Sequence, residues 1–80
     1  MAKIKRGKLI SIDDQVSGFI KELAEIRKAK GISSAKLETM TGIKQPNIIR
    51  MENGNAKPNI ETILKITTAL DVELKLVVLS

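Results

Sequence analysis

Residues 31–54 read GISSAKLETMTGIKQPNIIRMENG, and this stretch constrains the fold more than any other. Gly31 ends an apolar-patterned helix that precedes it. Ser33 is a natural N-cap for a second helix, because its hydroxyl can accept from a first-turn N–H. That helix closes at Gly42, since glycine enters the left-handed conformation of a helix end at little steric cost. A third helix opens at Lys44 or Gln45. Pro46 falls in its first turn, where a missing N–H does no harm. Asn53-Gly54 stops it. The spacing predicts two short helices, residues 34–41 and 45–53, joined through a glycine turn.

The flanks extend the same pattern. Ser11-Ile12-Asp13-Asp14 has the form of a capping box, and two carboxylates in a first turn suit the helix dipole. Ile12, Val16, Phe19, Ile20, Leu23 and Ile26 recur at helical spacing. Lys28 and Lys30 occupy the last turn, so the first helix covers residues 12–30. Leu37 and Met40 in the second helix, and Ile48, Ile49 and Met51 in the third, supply the apolar sides. After a turn-rich loop, Asn59 caps a fourth helix over residues 60–70. Ile60, Ile63, Leu64, Thr67 and Leu70 are its expected inward face. Then the period changes. VELKLVVL (residues 72–79) alternates at first and is rich in Val and Leu, which reads as a strand. A lone strand leaves its backbone groups unpaired. It must pair with residues 4–10, with a second copy of itself, or with another protein.

Two short helices joined by a glycine turn make a helix-turn-helix, whose second helix can enter the DNA major groove. Early in that helix stand Lys44, Gln45, Asn47 and Arg50, long polar side chains of the kind that reach base edges and phosphates. Asn47 and Arg50 lie three apart and share a face. This segment resembles the helix-turn-helix of lambda-type phage repressors and of the xenobiotic-response-element (XRE) family. The runs KLETMTGI, QPNIIRMENG and KPNIETILKI are similar to the HigA-type antitoxin branch. The resemblance covers residues 20–79. It rests on the joint occurrence of Gly31-Ile32-Ser33, Gly42, Gln45-Pro46 and Glu52-Asn53-Gly54.

The resemblance implies a mostly α fold: a four-to-five-helix lambda-repressor-like domain over residues 12–71 with a C-terminal β-strand. It implies a non-enzymatic, cofactor-free repressor that binds a double-stranded DNA operator as a homodimer. For the antitoxin branch it also implies a cognate toxin protein. A protein-interaction module that neutralises a toxin enzyme is the alternative from another class. Ser34 matches a position where the family contacts a phosphate, commonly with Gln. Lys36 replaces the acidic member of the family's capping box and is expected beside a phosphate. Lys44 stands where the family prefers a Ser or Thr cap, a loss of about 0.5–2 kcal/mol. Pro46 and Lys57 complete the expected DNA-facing set. Arg27 and Glu52 match a pair that ties the first helix to the end of the third in phage-repressor relatives. Asp71 occupies the family's usual glycine stop.

Composition narrows the alternatives. The 80 residues include no Cys, no His, no Trp and no Tyr, and one Phe. No disulfide framework is possible, and the usual zinc ligands and any His-dependent nucleophile are missing. A reducing cytoplasm is the expected location. Asp13, Asp14, Glu22 and Glu25 lie on a capped, amphipathic helix and carry no reading as catalytic carboxylates. No apolar run reaches the roughly 20 residues of a membrane span. The N-terminus has no long apolar segment, so a signal peptide is not expected. A core of Ile, Leu, Val and Met in so short a chain is marginal alone, and pairing of residues 72–80 between two subunits is the expected remedy.

The net charge is +5. Residues 1–10 hold Lys3, Lys5, Arg6 and Lys8 and no acid, whereas the other ten basic and nine acidic residues nearly cancel. The excess sits in a leading arm, residues 1–11. Such an arm can follow phosphates or enter a minor groove, or it can remain a solvated terminus.

Overall fold

The computed structural model describes residues 11–79 and places four helices in them: α1 (Ile12–Ala29), α2 (Ser34–Thr41), α3 (Gln45–Glu52) and α4 (Ile60–Ala69). Their starts are written in capping chemistry. The Ser11 hydroxyl accepts from Asp14 N–H at 3.0 Å, Ser33 from Lys36 N–H at 3.0 Å, and the Asn59 amide oxygen from Thr62 N–H at 2.8 Å. Each satisfies one first-turn donor that the helix cannot match internally.

Three helices stop by one device. After α1, Ile32 N–H returns to Arg27 C=O and Gly31 N–H to Lys28 C=O. After α3, Asn55 N–H returns to Arg50 and Gly54 N–H to Met51. After α4, Val72 N–H returns to Thr67 and Asp71 N–H to Thr68. This is the Schellman arrangement, which demands a left-handed residue at its turning point. Gly31 supplies it at φ 71°, and Asp71 adopts it at φ 58° despite its side chain. Ile32 and Val72, the residues just past two of these turns, pack back against the core.

Packing places α2 against both α3 and α4, and α1 against α3. The core is Ile20, Leu23 and Ala24 from α1, Leu37 from α2, Ile48 and Met51 from α3, and Ile66 and Leu70 near the end of α4. Ile48, at 0% exposure, sits at its centre. The single aromatic, Phe19, is half-buried at the edge with Val16, Ile26 and Ile63.

Five expected core positions are corrected. Ile12 is 73% exposed, Ile60 61% and Leu64 46%. Ile12 and Ile60 are the first residues of their helices and lie beyond the neighbours that could cover them. Leu64 turns outward because α4 buries the face carrying Ile66, Thr67 and Leu70, so Ile66 takes the inward place. Met40 and Ile49 are also exposed. Buried Thr67 satisfies its hydroxyl by donating to Leu64 C=O at 3.1 Å.

Residues 72–79 form no strand pairing among the described residues. Val72 is packed on the core, while Leu76 is 98% exposed and Val77 and Val78 are exposed with it. The basic arm, and any pairing of the tail with residues 4–10, lie outside the described residues. Among the described residues, no helix is long and apolar enough to cross a membrane.

Candidate nucleic-acid interface

The site is built on the α2–α3 angle. Gly42 ends α2 at φ 79° and donates its N–H to Glu38 C=O at 2.7 Å, which turns the chain at once. A side chain there would pay the left-handed penalty of roughly 1–2 kcal/mol. Thr41 then braces the corner. Its hydroxyl donates to Leu37 C=O at 2.7 Å and accepts from Ile43 N–H at 3.1 Å. Ile43 closes the turn from the core side.

The start of α3 is unusual. Lys44 holds the N-cap position with no side-chain capping bond. Even so, the first-turn donors are accounted for. Pro46 has none. Asn47 and Ile48 N–H groups return to Lys44 C=O at 2.9 and 3.1 Å. Gln45 N–H donates to the Glu38 carboxylate on α2 at 2.9 Å. The cap lost at Lys44 is thus supplied from the neighbouring helix.

Gln45 is held a second time, since its Nε2 donates to the Ser34 hydroxyl at 2.9 Å. One turn on, Arg50 Nη1 reaches Asn47 Oδ1 at 3.5 Å, a loose contact on an exposed face. Lys44, Pro46, Asn47 and Arg50 are exposed and Gln45 is half-buried. Pro46, Asn47 and Arg50 line the exposed part of α3's first two turns, with Lys44 exposed at its cap. Ser34 opens α2 beside them. First-turn N–H groups at such a helix start point outward, the arrangement that suits an anion. Lys36 is exposed in the same turn.

Lys57 lines one groove with Asn47, Met51 and Pro58. Its ammonium pairs with Asp13 at the start of α1, with both side chains more than two-thirds exposed. Such a pair contributes little, and it leaves Lys57 able to exchange partners.

Beneath the site, Arg27 and Glu52 meet through two parallel bonds. Arg27 Nε donates to Glu52 Oε2 at 2.8 Å and Nη2 to Oε1 at 2.8 Å. Nη1 donates to Ile32 C=O at 2.7 Å, so one guanidinium ties α1, the turn after it and the last residue of α3. Among the described residues no buried side-chain polar atom is left without a partner.

Sequence reasoning missed Glu38. The signal was present: Ser34, Glu38 and Thr41 are spaced i, i+4, i+7 along one face of α2, and an uncapped Lys44 requires a donor's partner from elsewhere.

The geometry defines a helix-turn-helix protein, and comparison with known proteins agrees. The chain belongs to the helix-turn-helix family, whose model matches residues 23–77. It is 47% identical over 59 residues to an uncharacterized HTH-type transcriptional regulator of Haemophilus influenzae, covering 74% of this chain and 60% of that protein. The chain therefore spans less than two-thirds of that relative's length. Its fold is similar to that of the restriction-modification controller protein C.AhdI from Aeromonas hydrophila, with TM-score 0.68 and 37% identity, over 75% of this chain and 89% of the other. It is likewise similar to a chain of a toxin–antitoxin module from Streptococcus pneumoniae, with TM-score 0.65 and 39% identity, over 92% and 88%.

Proposed function

We propose that this protein is a sequence-specific DNA-binding transcriptional repressor that acts without catalysis or cofactor, in the cytoplasm, as a homodimer on double-stranded DNA. One observation carries the reading. The start of α3 presents Lys44, Asn47 and Arg50 to solvent, with Gln45 half-buried beside Ser34, while Ile48 and Met51 lock the helix into the core. A rigid helix with long polar donors on its free face fits a major groove. Gln45 is the candidate adenine reader, and Arg50 contacts a guanine or a phosphate. Lys36, Lys44 and Lys57 supply phosphate contacts, with the start of α2 at Ser34. Two subunits would read half-sites about one helical turn apart. The regulator named among the relatives supports this reading.

The likeness to a toxin–antitoxin module favours a second role for the same chain, as an antitoxin that represses its own operon and binds a toxin protein. The exposed apolar segment Leu76, Val77 and Val78 supports it as an edge to which another strand can add.

Selection of bound sequences from a random DNA pool, followed by titration against salt, tests the function. A repressor yields one recurring, two-fold-related sequence and an affinity that falls steeply with salt. Recovery of random sequence, with salt-insensitive or absent binding, would refute DNA recognition and leave toxin binding as the activity.

A further inference from the structure

Resting on the DNA-reading function above, we propose that Glu38 determines specificity as a positioning residue, capping α3 and holding Gln45 ready to read one base pair. Glu38 touches no DNA in this proposal. It acts through Gln45, which is fixed at two points from a single face of α2.

The first point is the backbone. Lys44 provides no side-chain cap, and the Gln45 N–H is instead taken by Glu38 Oε1 at 2.9 Å. The second is the side chain, where Nε2 donates to Ser34 Oγ at 2.9 Å. A glutamine held this way keeps one amide N–H and its carbonyl oxygen for use. Those are the donor and acceptor that adenine requires at N7 and N6. The residue reaches its target already ordered, so binding does not pay to freeze a rotamer-rich side chain. Glu38 also fixes where the first turn of α3 begins relative to α2. Displacing that turn moves the Gln45 amide along the groove.

A carboxylate beside a DNA-facing helix carries a counter-effect. Its charge opposes approach to phosphate for every sequence alike. Glu38 is therefore expected to lower general affinity slightly while raising discrimination at one position. A merely structural residue would do the opposite on removal, weakening binding to all sequences in proportion to lost folded protein.

The experiment uses the full chain and the DNA sequence it selects. The Gln45 position is identified first, as the base pair whose preference disappears in Gln45→Ala. Discrimination at that pair, and at the others, is then measured for Glu38→Ala, Glu38→Asp and Glu38→Gln, with folding checked by circular dichroism. Glu38→Ala removes the acceptor, and Glu38→Asp keeps the charge but shortens the reach. Both are expected to lose roughly tenfold discrimination at the Gln45 pair alone. Glu38→Gln keeps an acceptor oxygen at the same reach and is expected to retain it. Glu38→Ala and Glu38→Gln should also bind non-specific DNA as well as the parent or better. If Glu38→Ala does not fold, the contrast between Asp and Gln carries the test. Unchanged discrimination in Glu38→Asp, or a loss spread evenly over all base pairs, overturns the proposal while leaving DNA recognition standing. A parent protein that selects no sequence overturns both.

Discussion

The Arg27–Glu52 pair lets the stability of this fold be probed at one junction. Its side chains are only 10% and 14% exposed, and the two 2.8 Å bonds form a parallel fork. In so little solvent, removing one partner strands the other charge, at a cost of about 3–5 kcal/mol. Glu52→Ala is expected at the lower end, because the stranded guanidinium keeps its bond to Ile32 C=O. Arg27→Ala is expected to cost about 1 kcal/mol more, since it also frees that carbonyl. Arg27→Met with Glu52→Leu leaves no buried charge, so the double variant should be more stable than either single. An 80-residue domain has a total stability of roughly 4–12 kcal/mol, so the single variants approach unfolding at 37 °C. Urea unfolding is followed by far-ultraviolet circular dichroism, because the chain has no Trp or Tyr to report by fluorescence. Protein concentration is held fixed, since assembly would couple to stability. Single-variant losses below about 1 kcal/mol, or additivity in the double variant, would show that the fork is too hydrated to matter and refute this reasoning.

Gln45→Ala and Asn47→Ala are expected to relax base preference while leaving the fold intact, and unchanged selected sites in both would sink their assignment as readers. Deleting residues 1–8 removes Lys3, Lys5, Arg6 and Lys8, so affinity should fall evenly across sequences at low salt and the difference should shrink at high salt. No change at low salt would make the arm a solvated tail. Deleting residues 76–80 spares Val72, which packs on the core, and is expected to give folded monomers with weaker operator binding. Dimers in sedimentation after that deletion would place the subunit contact elsewhere. Asp71→Gly relieves a left-handed residue at φ 58° and should raise stability by roughly 0.5–1 kcal/mol, measured by the same urea unfolding. A loss would mean that the unfolded chain's gain in freedom outweighs the relieved strain.

Local chemistry alone determined where α1, α2 and α4 start and where α1 and α2 stop. Ser11, Ser33 and Asn59 cap from their own backbone neighbourhood, and Gly31 and Gly42 turn because few other residues do so cheaply. These interactions span three or four residues, so they are legible without knowing what packs on what. The positions that line the exposed side of α3 follow from the same helical spacing. Which apolar residues are buried was less accessible. Ile60 and Leu64 match helical periodicity as well as Ile66 does, and only the angle at which α4 lies on α2 decides among them. The charge pair was visible through resemblance, but not its third bond to Ile32 C=O, because that depends on how closely the turn after α1 folds back. Residues 72–79 have strand-forming composition, and no pairing for them appears among the described residues, because a strand needs another backbone to answer its hydrogen bonds and composition does not name that partner. Lys44 reads as a defect in the sequence. Its remedy, Glu38, lies seven residues before the donor it satisfies, on a different helix, and it becomes a cap only when tertiary packing sets α2 across the start of α3.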